Sequence, residues 1–251
     1  MGRSWKNKIL ILLISSLSFG AGAQDQVHIP SGKFKLPAIL NKNSLKVTEF
    51  FMDKHPVTNK EFLSFVKSSP QWSKSQVKSI FADKEYLAYW SEDLSYGKMS
   101  DNAPVVQVSW YAARAYCESK GQRLPTVNEW EYVGLGKYKS QRSIQSAILE
   151  WYGRGAEWPL PEVMRGEVNS YGVHDVHGLI WEWVEDFNSA LVTGESRANG
   201  SLDKNMFCGA GASGAADPSD YAAFMRFAFR SSLQAKYTVQ NLGFRCVKDK
   251  E

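Results

Sequence analysis

A chain of 251 residues is long enough for one large domain with a substantial core, and nine Trp with 19 Gly suit a loop-rich fold of aromatic packing and tight turns. The formal charge is +4, and losing the three cations Arg3, Lys6 and Lys8 takes it to +1. No basic stripe is interleaved with aromatics, so nothing argues for nucleic acid as a partner.

The first element in the chain is a leader. Arg3, Lys6 and Lys8 make a basic start, Ile9 to Phe19 is apolar, and Ala21-Gly22-Ala23 precedes Gln24. That is the grammar of a secretory signal peptide, and the apolar run is too short to span a bilayer. No cysteine follows the run to take a lipid anchor. The expectation is a periplasmic or secreted protein, cleaved near Ala23, without a stable membrane anchor, and with one domain over residues 24–251.

Val27 to Leu36 reads as a strand, a Ser31-Gly32 turn and a second strand, and Val47 to Met52 as another strand. Thr58-Asn59 caps a helix whose apolar positions are Phe62, Phe65 and Val66. Gln71 to Asn102 is polar with scattered aromatics, and is expected to be a surface excursion. Ser109 caps a helix from Trp110 to about Lys120, ended by Gly121. Thr126 and Glu129 form a capping box that starts a third helix, with Trp130 and Val133 facing the core. Lys137 to Val168 carries little periodic signal. Trp181 to Val184 alternates like a strand, Asp203 to Asp220 reads as a loop, and Phe224 to Ser232 and Gly243 to Val247 read as closing strands.

Three cysteines, Cys117, Cys208 and Cys246, predict one disulfide and one leftover thiol in an oxidising compartment. His174-Asp175-Val176-His177 offers three potential ligands in four residues, but two histidines three apart share a face only on a helix. Metal binding and a structural role both stay open there. Arg226, Arg230 and Arg245 either clamp backbone carbonyls or line a substrate cleft.

Three stretches read together: PVVQVSWYAARAYCESKGQRLPTVNEWEYVG (Pro104 to Gly134), YGVHDVHGLIWEWVEDF (Tyr171 to Phe187) and NLGFRC (Asn241 to Cys246). In order and spacing they resemble the signature blocks of the formylglycine-generating enzyme (sulfatase-modifying factor) superfamily, and the resemblance runs from Ile29 to about Val247. It implies a single α+β domain, irregular and low in secondary structure, related to C-type lectins. It implies a disulfide between Cys117 and Cys246. It sets Cys208 at the first active-site cysteine of a site where two thiolates hold copper(I), a soft ion suited to such ligands. The bound metal there activates oxygen to oxidise a substrate cysteine. The second cysteine's place is taken by Ala222 or a close neighbour, so the dithiolate cannot form and enzymatic turnover is left open. Cys208 is then either catalytic and a copper ligand, or an inert loop thiol.

The same resemblance suggests Arg226, Arg230, Ser231 and Asn241 as substrate-binding residues and Cys208 and Glu182 as metal ligands, while His174 and His177 are candidate metal ligands by their own chemistry, at positions where the family pattern implies a structural role. A family calcium site keeps Glu182 here but has Leu179 in place of its Asn, which weakens a hard-cation site. The stretch FCGAG…DYAAFMRFAFRSS…YTVQNLGFRC looks closest to the exported NirV-type branch. That branch implies an accessory or maturation role beside periplasmic copper nitrite reductase as the protein partner. The alternative is a copper- and oxygen-dependent oxidoreductase that modifies a protein cysteine or a small molecule, like the formylglycine enzymes or the pyoverdine-maturing relatives. A non-haem iron reading needs a His-rich site from a separate helical domain, which the sequence lacks.

Overall fold

The computed structural model describes residues 25–36, 43–137, 144–154, 157–188 and 218–250. The expected leader, most of the Gly/Ala-rich segment read as a loop, and Cys208 lie outside the described residues. The chain order is β1 (Gln26–Ile29), β2 (Gly32–Lys35), β3 (Ser44–Val47), β4 (Phe50–Asp53), α1 (Asn59–Ser68), α2 (Trp110–Ser119), α3 (Val127–Gly134), α4 (Ile144–Gly153), β5 (Trp181–Glu182), α5 (Pro218–Ser231), β6 (Leu242–Gly243) and β7 (Val247–Asp249). The strands make three small sheets: antiparallel β1-β4-β7, antiparallel β2-β3, and parallel β5-β6. This is a mixed helix-and-strand domain with short open sheets. No helix among the described residues is long and apolar enough to cross a membrane.

The caps form where the sequence places them. Thr58 accepts from the Glu61 amide while Glu61 accepts from the Thr58 amide, and Thr126 and Glu129 exchange the same pair of bonds. Ser109 accepts from the Ala112 amide at 3.2 Å to start α2. Phe62, Phe65 and Val66 of α1 are buried, as are Ala112, Ala113, Tyr116 and Cys117 of α2. Phe62, Tyr116 and Phe244 meet as an aromatic centre, with ring centroids 5.3–6.2 Å apart.

The strand reading needs two corrections. The two strands read between Val27 and Leu36 form as β1 and β2, β1 pairing with β4 and β2 with β3. The run Val47 to Met52 is not one strand, since β3 ends at Val47 and β4 begins at Phe50, each in a different sheet. Phe224 to Ser232 is the end of helix α5, not a strand. Its buried residues Ala223, Phe227 and Arg230 recur at helical intervals, a period that the aromatic content of the segment obscures. The polar stretch from Gln71 to Asn102 is also more than a surface excursion. Its Tyr86, Leu87 and Trp90 are buried in the main core, held by turns and by the bond from the Leu87 amide to the Gln107 carbonyl.

Cys117 on α2 and Cys246, just before β7, form a buried disulfide with a Cα–Cα distance of 5.6 Å across a separation of 129 residues. Asp53 at the end of β4 accepts from the Cys246 amide at 2.8 Å and from Gln26 Nε2 at 2.9 Å. Burial still pushes its carboxyl up to about 7.

Candidate functional site

Two buried carboxylates organise the region around the signature blocks. Glu182, on β5, receives Nε and Nη2 of Arg245 at 2.8 and 2.7 Å, and Nε1 of Trp130 at 2.8 Å. Other donors of Arg245 reach the carbonyls of Asp53, Lys54 and His174. One guanidinium thereby joins β4, the turn at His174 and β5, using the fork geometry that only arginine offers. The backbones are close enough that Gly243 is required: a Cβ there would stand 2.3 Å from the Val105 carbonyl oxygen.

Glu131, on α3, is shared by two guanidiniums of α5. Arg226 Nε and Nη2 lie 3.0 and 2.8 Å from it, and Arg230 Nη1 lies 2.6 Å away. All three side chains are almost completely buried. Burial alone would raise the Glu131 carboxyl, but Arg226 and Arg230 outweigh it and hold it at about 2. The Arg230 guanidinium also sits 4.6 Å from the Trp130 ring centre. Trp130 thus touches both networks. The Glu131 cluster carries two cations to one anion.

Beside Trp181 and His177 lies a cleft made of two joined cavities of about 260 and 250 Å³ that share Arg154, Glu157, Pro161, Gly178 and Leu179. One end is aromatic: Trp151 and Tyr152 stand 5.0 and 5.2 Å from Trp181, and Met225 and Asn241 complete the wall. The other end is polar, with Glu162, Arg165, Glu167, Asp175 and His177. Asp175 shapes that end by accepting from the amides of Met164 and Gly166 at 2.5 and 3.2 Å. A Cβ at Gly166 would meet Asp175 Oδ1 at 2.6 Å, so a larger residue there would displace that carboxylate. His177 Nε2 lies 3.0 Å from the Gly134 carbonyl. Burial, with Arg226 adding to it, pushes the His177 imidazole down to about 3. Burial pushes the Tyr152 phenol up to about 12.

Of the residues the sequence suggested for substrate binding, Asn241 lines the cleft, and its carbonyl accepts from the Trp181 amide at 2.8 Å. Arg226 and Arg230 do not line it and instead bind Glu131, with Arg226 also donating to the Ala222 carbonyl. Ser231 Oγ bonds to the Ala228 carbonyl of its own helix. Of the suggested metal ligands, Glu182 has both oxygens engaged by Arg245 and Trp130, and a guanidinium in contact opposes a second cation, so Glu182 does not fit calcium. His174 gives its carbonyl to Arg245, and His177 is turned to Gly134. No group of three or more His, Cys, Asp or Glu among the described residues could hold a metal. Cys208, the copper candidate, lies outside them. Glu131, Tyr152 and Trp181 are the site residues that the sequence reading passed over. The signal that could have found Glu131 is chemical: two arginines on a buried helix face demand a carboxylate.

Residues 18–250 match the sulfatase-modifying factor enzyme 1-like domain family. The chain belongs to that family. It is similar to the inactive Cα-formylglycine-generating enzyme 2 of Mus musculus, 28% identical over 303 aligned positions, with 98% of this chain and 94% of the relative covered. It is also similar to the formylglycine-generating enzyme of Streptomyces coelicolor, 27% identical over 285 positions, with 89% of each covered. Its fold resembles that of PvdO from Pseudomonas aeruginosa, with a TM-score of 0.52 at 15% identity over 90% of this chain and 94% of that one. CarF gives a TM-score of 0.52 at 14% identity over 91% of this chain and 99% of that one. Relatives named as active and as inactive are equally similar, so overall identity does not separate this family member's chemistry from a binding role.

Proposed function

We propose that this chain is an exported accessory or maturation factor that works by binding, with the aromatic and polar cleft as its recognition site. The observation that carries this reading is the cleft itself: two adjoining cavities with Trp151, Tyr152 and Trp181 at one end and charged residues at the other, within a formylglycine-generating-enzyme-like fold. Clustered aromatic side chains are what binding hot spots are enriched in. Export is inferred from the leader pattern of residues 1–23. Periplasmic copper nitrite reductase is the proposed partner, on the strength of the NirV-like C-terminal stretch. Titrating the mature chain into the reductase is expected to give a complex that Trp181→Ala weakens by about tenfold or more. Absence of a complex, or equal affinity for the variant, overturns the reading.

A second reading rests on Cys208. With Cys117 and Cys246 joined, Cys208 is the one cysteine outside the disulfide, hence the one candidate thiolate for copper(I) in an oxygen-dependent oxidoreductase. Anaerobic copper(I) titration against a competing chelator tests it. Stoichiometric binding that Cys208→Ser abolishes supports the oxidoreductase; no binding, or equal binding, removes copper from the account.

A further inference from the structure

Residues 157–166 run along the cleft as a strap. On one side Leu160, Pro161 and Arg165 line the two joined cavities. On the other side Val163 and Met164 line a third cavity of about 360 Å³, together with Lys60 and Asn102. Glu162 lines both the cleft and this third cavity, so the strap is the partition between them.

The strap is tied to the rest of the chain over a short length. The Val163 amide donates to the Asn102 carbonyl at 2.9 Å, and the Met164 and Gly166 amides donate to the two oxygens of Asp175 at 2.5 and 3.2 Å. Glu162 accepts from Ser100 Oγ at 2.6 Å, and from Arg165 of the strap itself at 3.0 Å. Leu160 is buried, but in a small cluster with Met99, Ala103, Val106 and Ile180 that is distinct from the main core. Trp158 and Met164 are nearly half exposed. The anchor is also strained. Met164 and Asp175 both lie in the left-handed region, at φ 64° and 55°. Asp tolerates that region through its short polar side chain, whereas the Cβ of Met crowds the following carbonyl oxygen. Strain of this kind persists only where neighbouring groups impose it, and it collects at ligand clamps and switching segments. A segment with few buried apolar contacts and a strained anchor belongs to the low-stability end of a fold.

We propose that residues 157–166 open as one unit away from Asp175, joining the cleft to the third cavity so that an extended segment of a partner polypeptide enters. Opening is a property of the free chain; the entry of a partner rests on the cleft being the recognition site. Amide hydrogen exchange in the ¹⁵N-labelled mature chain tests the opening. The Val163, Met164 and Gly166 amides are expected to exchange together, about tenfold or more faster than the buried Trp183 amide, which donates to the Gly243 carbonyl at 2.9 Å. Asp175→Asn keeps the size and the left-handed tolerance but sets an NH₂ group against one of the two amides, and is expected to speed all three about fivefold or more. Val163 is the decisive amide, since its own bond goes to Asn102. Met164→Gly relieves the left-handed strain and is expected to slow all three about threefold. Exchange of the three at the Trp183 rate, a Val163 amide indifferent to Asp175→Asn, or no slowing in Met164→Gly overturns the opening. If Asp175→Asn fails to fold, the wild type and Met164→Gly decide it. Entry is read from the rate of association with copper nitrite reductase, which is expected to slow in Met164→Gly by the same factor as the exchange. An unchanged rate overturns the entry of a partner and leaves the opening in place. If the wild type forms no complex, the recognition reading and the entry both fall, and exchange alone judges the strap.

Discussion

Glu182 and Glu131 are both buried and both held by arginine, yet they do different work. Glu182 meets one guanidinium, and the remaining donors of Arg245 go to backbone carbonyls, while His174 Nδ1 next to that clasp has no partner among the described residues. Glu131 meets two guanidiniums, so among the described residues its cluster holds two cations to one anion, and beside it His177 Nδ1 has no partner among those residues. Nearly identical chemistry thus yields a one-to-one clasp in one place and a shared carboxylate in the other. The difference lies in how many guanidiniums converge on the carboxylate.

Stability measurements can break that comparison. Glu131→Gln strands two buried guanidiniums and is expected to cost more than the about 3–5 kcal/mol typical of breaking one buried pair, read as a shift in the urea midpoint. Glu182→Gln strands one, for a loss of about 3–5 kcal/mol. Equal losses would mean that the extra charge at Glu131 is already balanced elsewhere. Replacing both Cys117 and Cys246 by alanine opens a long loop and is expected to cost about 2–5 kcal/mol without altering partner affinity at the cleft. A change in cleft affinity would show that the clasp and the cleft are coupled.

The acid limb of stability sharpens the comparison further. The folded pKa of His177 lies at about 3, below its ordinary 6.5, so the unfolded chain binds the extra proton first. Stability is whole above 6.5 and is lost as pH falls towards 3, at up to about 1.4 kcal/mol per pH unit. Glu131, held at about 2 against 4.5, loses its share between 4.5 and 2. Asp53, pushed up to about 7, acts in the opposite sense between 3.8 and 7. The measurement is therefore the difference between the wild type and His177→Gln across pH 6.5 to 4.5, in which Asp53 cancels. A flat difference would mean that the imidazole is not neutral in the fold. Least costly is Thr126→Ala, which removes the cap of α3 for about 1 kcal/mol by thermal melting. A larger loss would mean that the cap also sets the position of Glu131.

Much of this was legible in the chain. Helix starts at Thr58, Ser109 and Thr126 depend on residues three positions apart, and such local chemistry reads directly from a sequence. The family resemblance carried the Cys117–Cys246 bond, which no spacing rule could single out from three cysteines. The candidate site was legible only in part. Arg226 and Arg230 stood out, but their partner Glu131 is 95 and 99 residues away, and the sequence read its segment only as a capped helix. Tyr152 fell in a segment with no clear period, though it forms part of α4 and of the cleft wall.

The sequence by itself determined the composition of the core, the capped helices, the paired cysteines through their family pattern, and family membership, because those depend on local chemistry and residue type. The tertiary structure alone decided that Phe224 to Ser232 is helical, that Val47 to Met52 divides between two sheets, and that Glu182 is neutralised while Glu131 is shared. Those outcomes follow from which distant groups become neighbours once water is excluded, and the cost of an unpaired buried charge makes that assignment strict.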